Sequence, residues 1–416
     1  MKVLLVTMYF PPAGGGGVQR PLKTATHLPA LGIETHVLAP DDPKWLHRDE
    51  ELSPPTQAFV HRARYLGPRA RLLAEELHGL EGPERVLAQA RLAYRRVLLP
   101  DPSVTWLPTA VPAAVRLVRR ERIDAVITTS PPVSMNLIGA SVKRLTGIPW
   151  VADLRDSILL NADRRFERTT VRAKEKAFER VVGVVARRAD AVVTVSEPIA
   201  DEVRGFEPAG HVKVIPNGCD FDDFAGLEYQ PGDRFRLTHT GSFFGKRSPR
   251  PFLSALAASG LEDIVVRFAG GLRAADREWV ERLDLGDHLE VLPHVPHRRA
   301  LELQRDSEAN LLLLPDAAGR GRVVPSGKIF EYLAAERPIL AAVPPDGAAA
   351  RLVRETGAGI VVGPDDEKGI CEALLGLHAR WKAGQLRNGY LSPEQREKLS
   401  RKARVGELAE LLLELQ

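Results

Sequence analysis

The chain has 416 residues, of which 44% are hydrophobic and 27% charged, with a net charge of +4. At about 100–200 residues per domain, that length predicts two or three domains, and no apolar run approaches the roughly 20 residues that span a bilayer. Cys219 and Cys371 are too few for a disulfide framework and lack metal-ligand spacing, so a reducing cytoplasm and no metal are expected. Basic clusters such as Arg119-Arg120-Glu121-Arg122 are diluted by acids and carry no interleaved aromatics, which argues against nucleic acid. No signal peptide is expected at the N-terminus.

In chain order, β-branched runs alternate with helical patterns, as in parallel sheets covered by helices. The first half predicts strands at 2–7, 34–38, 125–129, 150–152, 191–195 and 212–215. Its helices are expected near 18–31, 134–146, 163–188 and 197–206. Residues 41–110 break the rhythm with many prolines and a basic amphipathic stretch, Arg69 to Leu99, read as helices inserted between the second and third strands. Pro216-Asn217-Gly218 closes the first domain, 1–218, and a linker follows over 219–232. The second domain, 233–394, repeats the alternation. Its strands fall at 236–240, 265–269, 290–292, 309–314, 339–342 and 359–361, and its helices near 249–258, 274–284, 299–306, 327–336, 348–355 and 366–378. A C-terminal helix, about 395–416, is a candidate to pack back on the first domain. Two such sheets imply an α/β fold whose ligands lie at the carboxyl ends of strands.

Four loops at strand ends are candidates for chemistry. Pro11 to Arg20 places four glycines, Gly14 to Gly17, before the first helix, where bare amides and the helix dipole meet an anion. It is neither a dinucleotide fingerprint, since Gln19 takes the third glycine's place, nor a Walker loop. Gly241 to Pro249 offers amides at Gly241 and Ser242 and the cations Lys246 and Arg247. Pro325-Ser326-Gly327-Lys328 opens a helix, with Ser326 as the N-cap candidate. Lys328 suits a phosphate there, and Glu331, three residues on, suits vicinal ribose hydroxyls. The fourth region joins Thr129-Ser130-Pro131-Pro132 and Asn136 with Asp153-Leu154-Arg155-Asp156. Its aspartates are candidates to orient hydroxyls or act as a base, Arg155 to pair with either, and a purely structural network is the alternative.

Several short segments carry a family resemblance in the right order and spacing. They are Tyr9-Phe10-Pro11-Pro12 with the glycine loop and Val18-Gln19-Arg20, Thr129 to Pro132, Trp150 to Asp156, Val193 to Pro198, Val214 to Gly218, Thr240 to Phe243 with Arg247-Ser248-Pro249, and Ser326 to Ala335. Together they resemble the retaining family 4 glycosyltransferases over nearly the whole length. The resemblance implies the GT-B fold, two Rossmann-like doubly wound domains facing each other across a cleft. It implies transfer of a sugar from a nucleotide diphosphate donor to an acceptor with the anomeric configuration kept, and no cofactor.

By position in the resemblance, Gly241, Ser242, Arg247, Lys246 and Lys328 hold the diphosphate, with Ser326 and Gly327 at the helix start. Glu331 takes the ribose and Val295 lies beside the base. Gly16 and Gly17 close from the other domain. Asp153 and Asn136 complete the catalytic candidates, while Arg20, Ser130, Arg155 and Asp156 lie on the acceptor side. The chain departs from the pattern at Val323, where many relatives have a second Glu, at Asn136, where close relatives often have His, and at Glu336, in place of a glycine. A nucleotide-sugar epimerase and a non-catalytic sugar-nucleotide sensor are the competing readings. Segment 69–99 is further read either as a rest on a membrane bearing lipid-linked acceptors or as a helical cover over the first sheet.

Overall fold

A computed structural model describes residues 1–43, 47–68, 81–159, 169–243, 247–317, 319–323, 325–386 and 389–416. The chain forms two compact units, Met1–Pro216 with Arg404–Gln416, and Asn217–Ala403. Each is built on a parallel sheet.

The first unit runs β1 (Lys2–Val6), α1 (Gly16–His27), β2 (Glu34–Pro40), β3 (Phe59–Ala63), α2 (Gly82–Val97), α3 (Leu107–Glu121), β4 (Ala125–Ser130), α4 (Met135–Thr146), β5 (Trp150–Leu154), α5 (Thr169–Arg188), β6 (Ala191–Thr194), α6 (Glu197–Arg204) and β7 (His211–Val214). The strand order is β3-β2-β1-β4-β5-β6-β7. Val3 to Val6 are all buried, as both faces of a parallel sheet are covered and its strands read as continuous apolar runs. The order reverses between β1 and β4, which pair side by side, so the loops after these strands converge where ligands bind in such sheets.

The second unit runs β8 (Phe235–Thr240), α7 (Arg250–Ser259), β9 (Ile264–Ala269), α8 (Ala274–Glu281), β10 (Leu289–Leu292), α9 (His297–Arg305), β11 (Ala309–Leu313), α10 (Arg320–Val323), α11 (Gly327–Ala335), β12 (Ile339–Ala342), α12 (Ala348–Thr356), β13 (Gly359–Val362), α13 (Glu367–Lys382), α14 (Pro393–Leu399) and α15 (Arg401–Glu414). Its order is β10-β9-β8-β11-β12-β13, with the reversal between β8 and β11. The tail crosses from one unit to the other within α15. Val405, Leu408, Leu411 and Leu412 are buried in the first unit's core with Val3, Leu5 and Ile127.

One element departs from the sequence expectation for 41–110. β3 is a five-residue strand, Phe-Val-His-Arg-Ala, on the sheet edge, where helices were expected; half-exposed and charged, it lacks a buried strand's apolar run. α3, which no predicted helix matches, accepts Pro108 at its start, where a missing N–H costs nothing, and also carries Pro112 in its interior. Residues 69–80 of the basic stretch lie outside the described residues; its remainder forms α2. Glu336 ends α11 at φ 54°, the left-handed conformation usually given to glycine, and its carboxylate pairs with Arg396 and, at 3.6 Å, with Arg305.

Candidate functional site

In the second unit, the loop after β8 and the start of α11 meet beside the strand reversal. Gly241 adopts φ +112°, and a Cβ added there would lie 2.6 Å from Cε and Nζ of Lys328. The Lys328 side chain therefore lies directly over the Gly241 Cα. Gly270, at φ +145° at the end of β9, packs as closely beneath: a Cβ on it would stand 2.5 Å from the Gly241 carbonyl carbon. The two glycines thus let the turns after β8 and β9 meet backbone to backbone while the Lys328 side chain lies over the first of them.

Lys328 is on the first turn of α11, where the opening amides have no helical partner and the dipole favours anions. Its Nζ donates to His239 Nε2 at 3.2 Å. Burial, with the nearby Arg247 charge, lowers the Lys328 ammonium to about 7, partly offset by Glu331. One turn on, Glu331 accepts from Gln304 Nε2 at 2.9 Å, and the same nitrogen donates to Thr240 Oγ1 at 2.8 Å. Tyr332 accepts the Thr240 N–H at 3.1 Å, and burial raises its phenol. Gln304 Oε1 is buried with no partner among the described residues. Ser326 stands at the N-cap position without a side-chain capping bond. Gly327 opens the helix beside free space, and Ser242 is part-exposed in the β8 loop. Val295 is part-exposed between β10 and α9. Lys246 lies outside the described residues.

In the first unit, the expected acceptor-side residues form a scaffold. Arg20, on α1, holds both Asp153 oxygens, with Nε at 3.1 and 3.0 Å and Nη2 at 2.8 Å, and donates also to the carbonyls of Ile215 and Pro216 at 3.2 Å each. Asp153 therefore pairs with Arg20 and not with Arg155. Arg155 instead donates to the carbonyls of Gly17 at 2.5 Å, Pro131 at 3.0 Å and Ser130 at 3.3 Å, tying the glycine loop to the loop after β4. Burial pushes its guanidinium below the ordinary value, opposed by Asp153 and Asp156. Asn136 is wholly buried, donating to Val133 O at 3.2 Å and accepting from Thr128 Oγ1 at 3.4 Å. Ser130 is also buried, whereas Asp156 is part-exposed. The glycine loop is anchored by Gly14 N donating to His47 O at 2.9 Å; Gly16 is exposed at the start of α1, and Gly17 lies beside the Tyr9 ring.

His239, Gln304, Thr240 and Tyr332 were not singled out from sequence. His239 had a signal: an imidazole in a buried strand one residue before the glycine turn. Gln304 had none. Among the described residues no cluster of three His, Cys, Asp or Glu is placed to hold a metal.

Two doubly wound parallel sheets, each with its loops gathered at the strand reversal, define the GT-B fold, and solved structures share it across the whole chain. Sucrose-phosphate synthase from Thermosynechococcus elongatus matches at TM-score 0.68 and 17% identity, covering 100% of this chain and 98% of that one. Anabaena Alr3699/HepE, in complex with UDP and glucose, matches at 0.64 and 16%, covering 100% of both chains. A UDP-N-acetylglucosamine 2-epimerase-like protein from Listeria monocytogenes matches at 0.52 and 11%, covering 99% and 94%. The family described as Glycosyl transferase 4-like domain matches residues 15–218, so the first unit carries such a domain and the fold is glycosyltransferase-like. No curated protein matches the sequence.

Proposed function

We propose that this chain is a retaining glycosyltransferase that moves a hexosyl group from a nucleoside diphosphate sugar to a hydroxyl acceptor. The observation that carries the reading is Lys328 seated on Gly241 at the start of α11, with Arg247 near enough to act on its charge and Glu331 one turn behind. A diphosphate there meets an ammonium, a guanidinium and open helix amides, and Glu331 accepts from a ribose hydroxyl. In the transfer, the bond from C1 to the diphosphate oxygen breaks and the acceptor oxygen bonds C1 from the same face. The acceptor proton passes to the departing diphosphate, whose growing charge Lys328 and Arg247 stabilise. No metal or cofactor is required by this scheme. The first unit takes the acceptor; its Arg20–Asp153 and Arg155 bonds hold the loop carbonyls, so Asp153 supports the loops and no longer suits the role of base. The acceptor belongs to glycan, cell-surface polysaccharide or glycosylated-metabolite synthesis in the cytoplasm, with α2 resting on the membrane. Among the described residues no helix is long and apolar enough to cross one.

The test is release of nucleoside diphosphate from a panel of nucleotide hexoses, in the wild type and in Lys328→Ala and Arg247→Ala. Removing one cation that stabilises the leaving group costs about 10²–10³ in turnover, with melting temperatures preserved. Near-normal donor affinity in both variants would sink the diphosphate assignment. Interconversion of free nucleotide sugars without diphosphate release would favour an epimerase, and binding with neither reaction a sensor.

A further inference from the structure

His239 takes no part in the recognition proposed above, yet it is 1% exposed and shapes the ammonium that does. Its Nδ1 lies 2.9 Å from the Leu311 carbonyl oxygen. A carbonyl only accepts, so Nδ1 carries the ring proton and Nε2 presents a lone pair. That lone pair faces Lys328 Nζ at 3.2 Å. The ring cannot turn away: it stacks on Phe243 at 4.8 Å between centroids and meets the edge of Phe268 at 5.9 Å. Protonating Nε2 would set two cations 3.2 Å apart with the Arg247 charge added, and burial together with Lys328 keeps the imidazole well below its ordinary value.

We propose that His239 is a positioning residue, holding Lys328 over Gly241 as a hydrogen-bond donor, and that diphosphate binding draws one proton from solvent onto Lys328. The inference rests on the reading of Lys328 as the diphosphate ligand. The charged groups acting on Lys328 are Arg247, which opposes its charge, and Glu331, which favours it; Tyr332, on the same helix, is a buried neutral phenol. With the ammonium lowered to about 7, the neutral amine prevails at pH 8. An arriving diphosphate reverses that preference, because two negative charges beside Nζ stabilise the ammonium. His239 fits this exchange by offering an acceptor with no charge of its own. A carboxylate in its place would keep Lys328 protonated and compete with the phosphate for it.

Calorimetry in two buffers of different ionisation enthalpy counts the protons. The ligand is whichever of UDP-, GDP-, ADP- or dTDP-glucose raises the melting temperature most; a diphosphate diester does not itself titrate near neutrality. Near one proton should be taken up per donor at pH 8 and almost none at pH 6, with affinity about tenfold weaker at pH 8, as proton linkage requires one unit above the controlling value. His239→Phe, which keeps the stacking ring, should weaken donor binding about tenfold, while His239→Gln, which keeps an acceptor, restores most of it; a mere packing role gives the opposite order. Donor binding at pH 8 without proton uptake overturns the inference while leaving the diphosphate reading intact. Failure of every donor to bind at either pH brings both down.

Discussion

Gly241 and Gly327 differ only by context, and the difference is measurable. At Gly241 a side chain meets both a positive φ and Lys328 at 2.6 Å; at Gly327 a Cβ would meet nothing within 4 Å. Gly241→Ala should therefore cost about 1–3 kcal/mol of backbone strain and displace Lys328, reducing donor affinity nearly as much as Lys328→Ala. Gly327→Ala should leave the melting temperature within error, since the added methyl meets no protein atom. Donor titration and thermal melting check this, and a Gly241→Ala variant with the donor affinity of the wild type would show that Lys328 is not seated by Gly241. At this scale the sequence reading set Gly241 in a turn and Lys328 with Glu331 at the start of one helix, and the structure has them there, because a turn and a helix start are each written in a few neighbouring residues. The Arg20–Asp153 pair was not, because its partners stand 133 residues apart and only the sheet brings them together. Asn136 was read as a candidate for chemistry; nothing in the chain around it reveals that its side chain is wholly buried.

At the scale of elements, α2 stands out for the face it leaves uncovered. At 100° per residue, Val86, Ala90, Ala93, Tyr94 and Val97 share one face. Val86 is 65%, Tyr94 52% and Val97 68% exposed, while Ala88, on the opposite side, is buried. Arg91 borders the apolar stripe on one side and Arg85 and Arg96 on the other, all exposed. An apolar strip flanked on both edges by cations matches an anionic lipid interface better than it matches water. The protein should float with vesicles containing phosphatidylglycerol and not with pure phosphatidylcholine. Replacing Arg85, Arg91 and Arg96 by Gln should weaken that binding roughly a hundredfold, at about 1 kcal/mol per cation. Val86→Asp with Val97→Asp should abolish it without altering donor binding. Flotation indifferent to anionic lipid would refute the assignment. Elements with a strong periodicity were legible: every strand buried on both faces lies within a residue or two of its predicted place. β3 was hidden because an edge strand need not be apolar, and α3 because its prolines read as breaks although one of them stands where helices accept proline.

At the scale of the whole chain, α15 makes the first unit depend on residues that follow the second unit in the sequence. Leu408, Leu411 and Leu412 are no more than 6% exposed, and they pack with Val3, Leu5 and Ile127 from the first and fourth strands of the sheet. The chain must therefore leave the first unit at Pro216, build the second, and return at Arg404. Gly218 marks the passage: a Cβ there would lie 2.8 Å from the Arg401 backbone, and Arg401 Nε donates to Asp220 at 3.2 Å, so the outgoing and returning strands of chain are pinned together within the second unit. Leu412→Ala removes a fully buried side chain from a core that the second unit does not share, and should cost about 2–5 kcal/mol, a large part of a domain's usual margin. Amide exchange should then accelerate in β1, β2 and β4 while β8 and β11 keep their protection. The matched change in the other core, Leu374→Ala, should reverse the pattern, because Leu374 packs with Leu237 and Leu311. If either substitution instead speeds exchange equally in both sheets, the two cores unfold as one cooperative block and the returning helix does not confine its effect to the first.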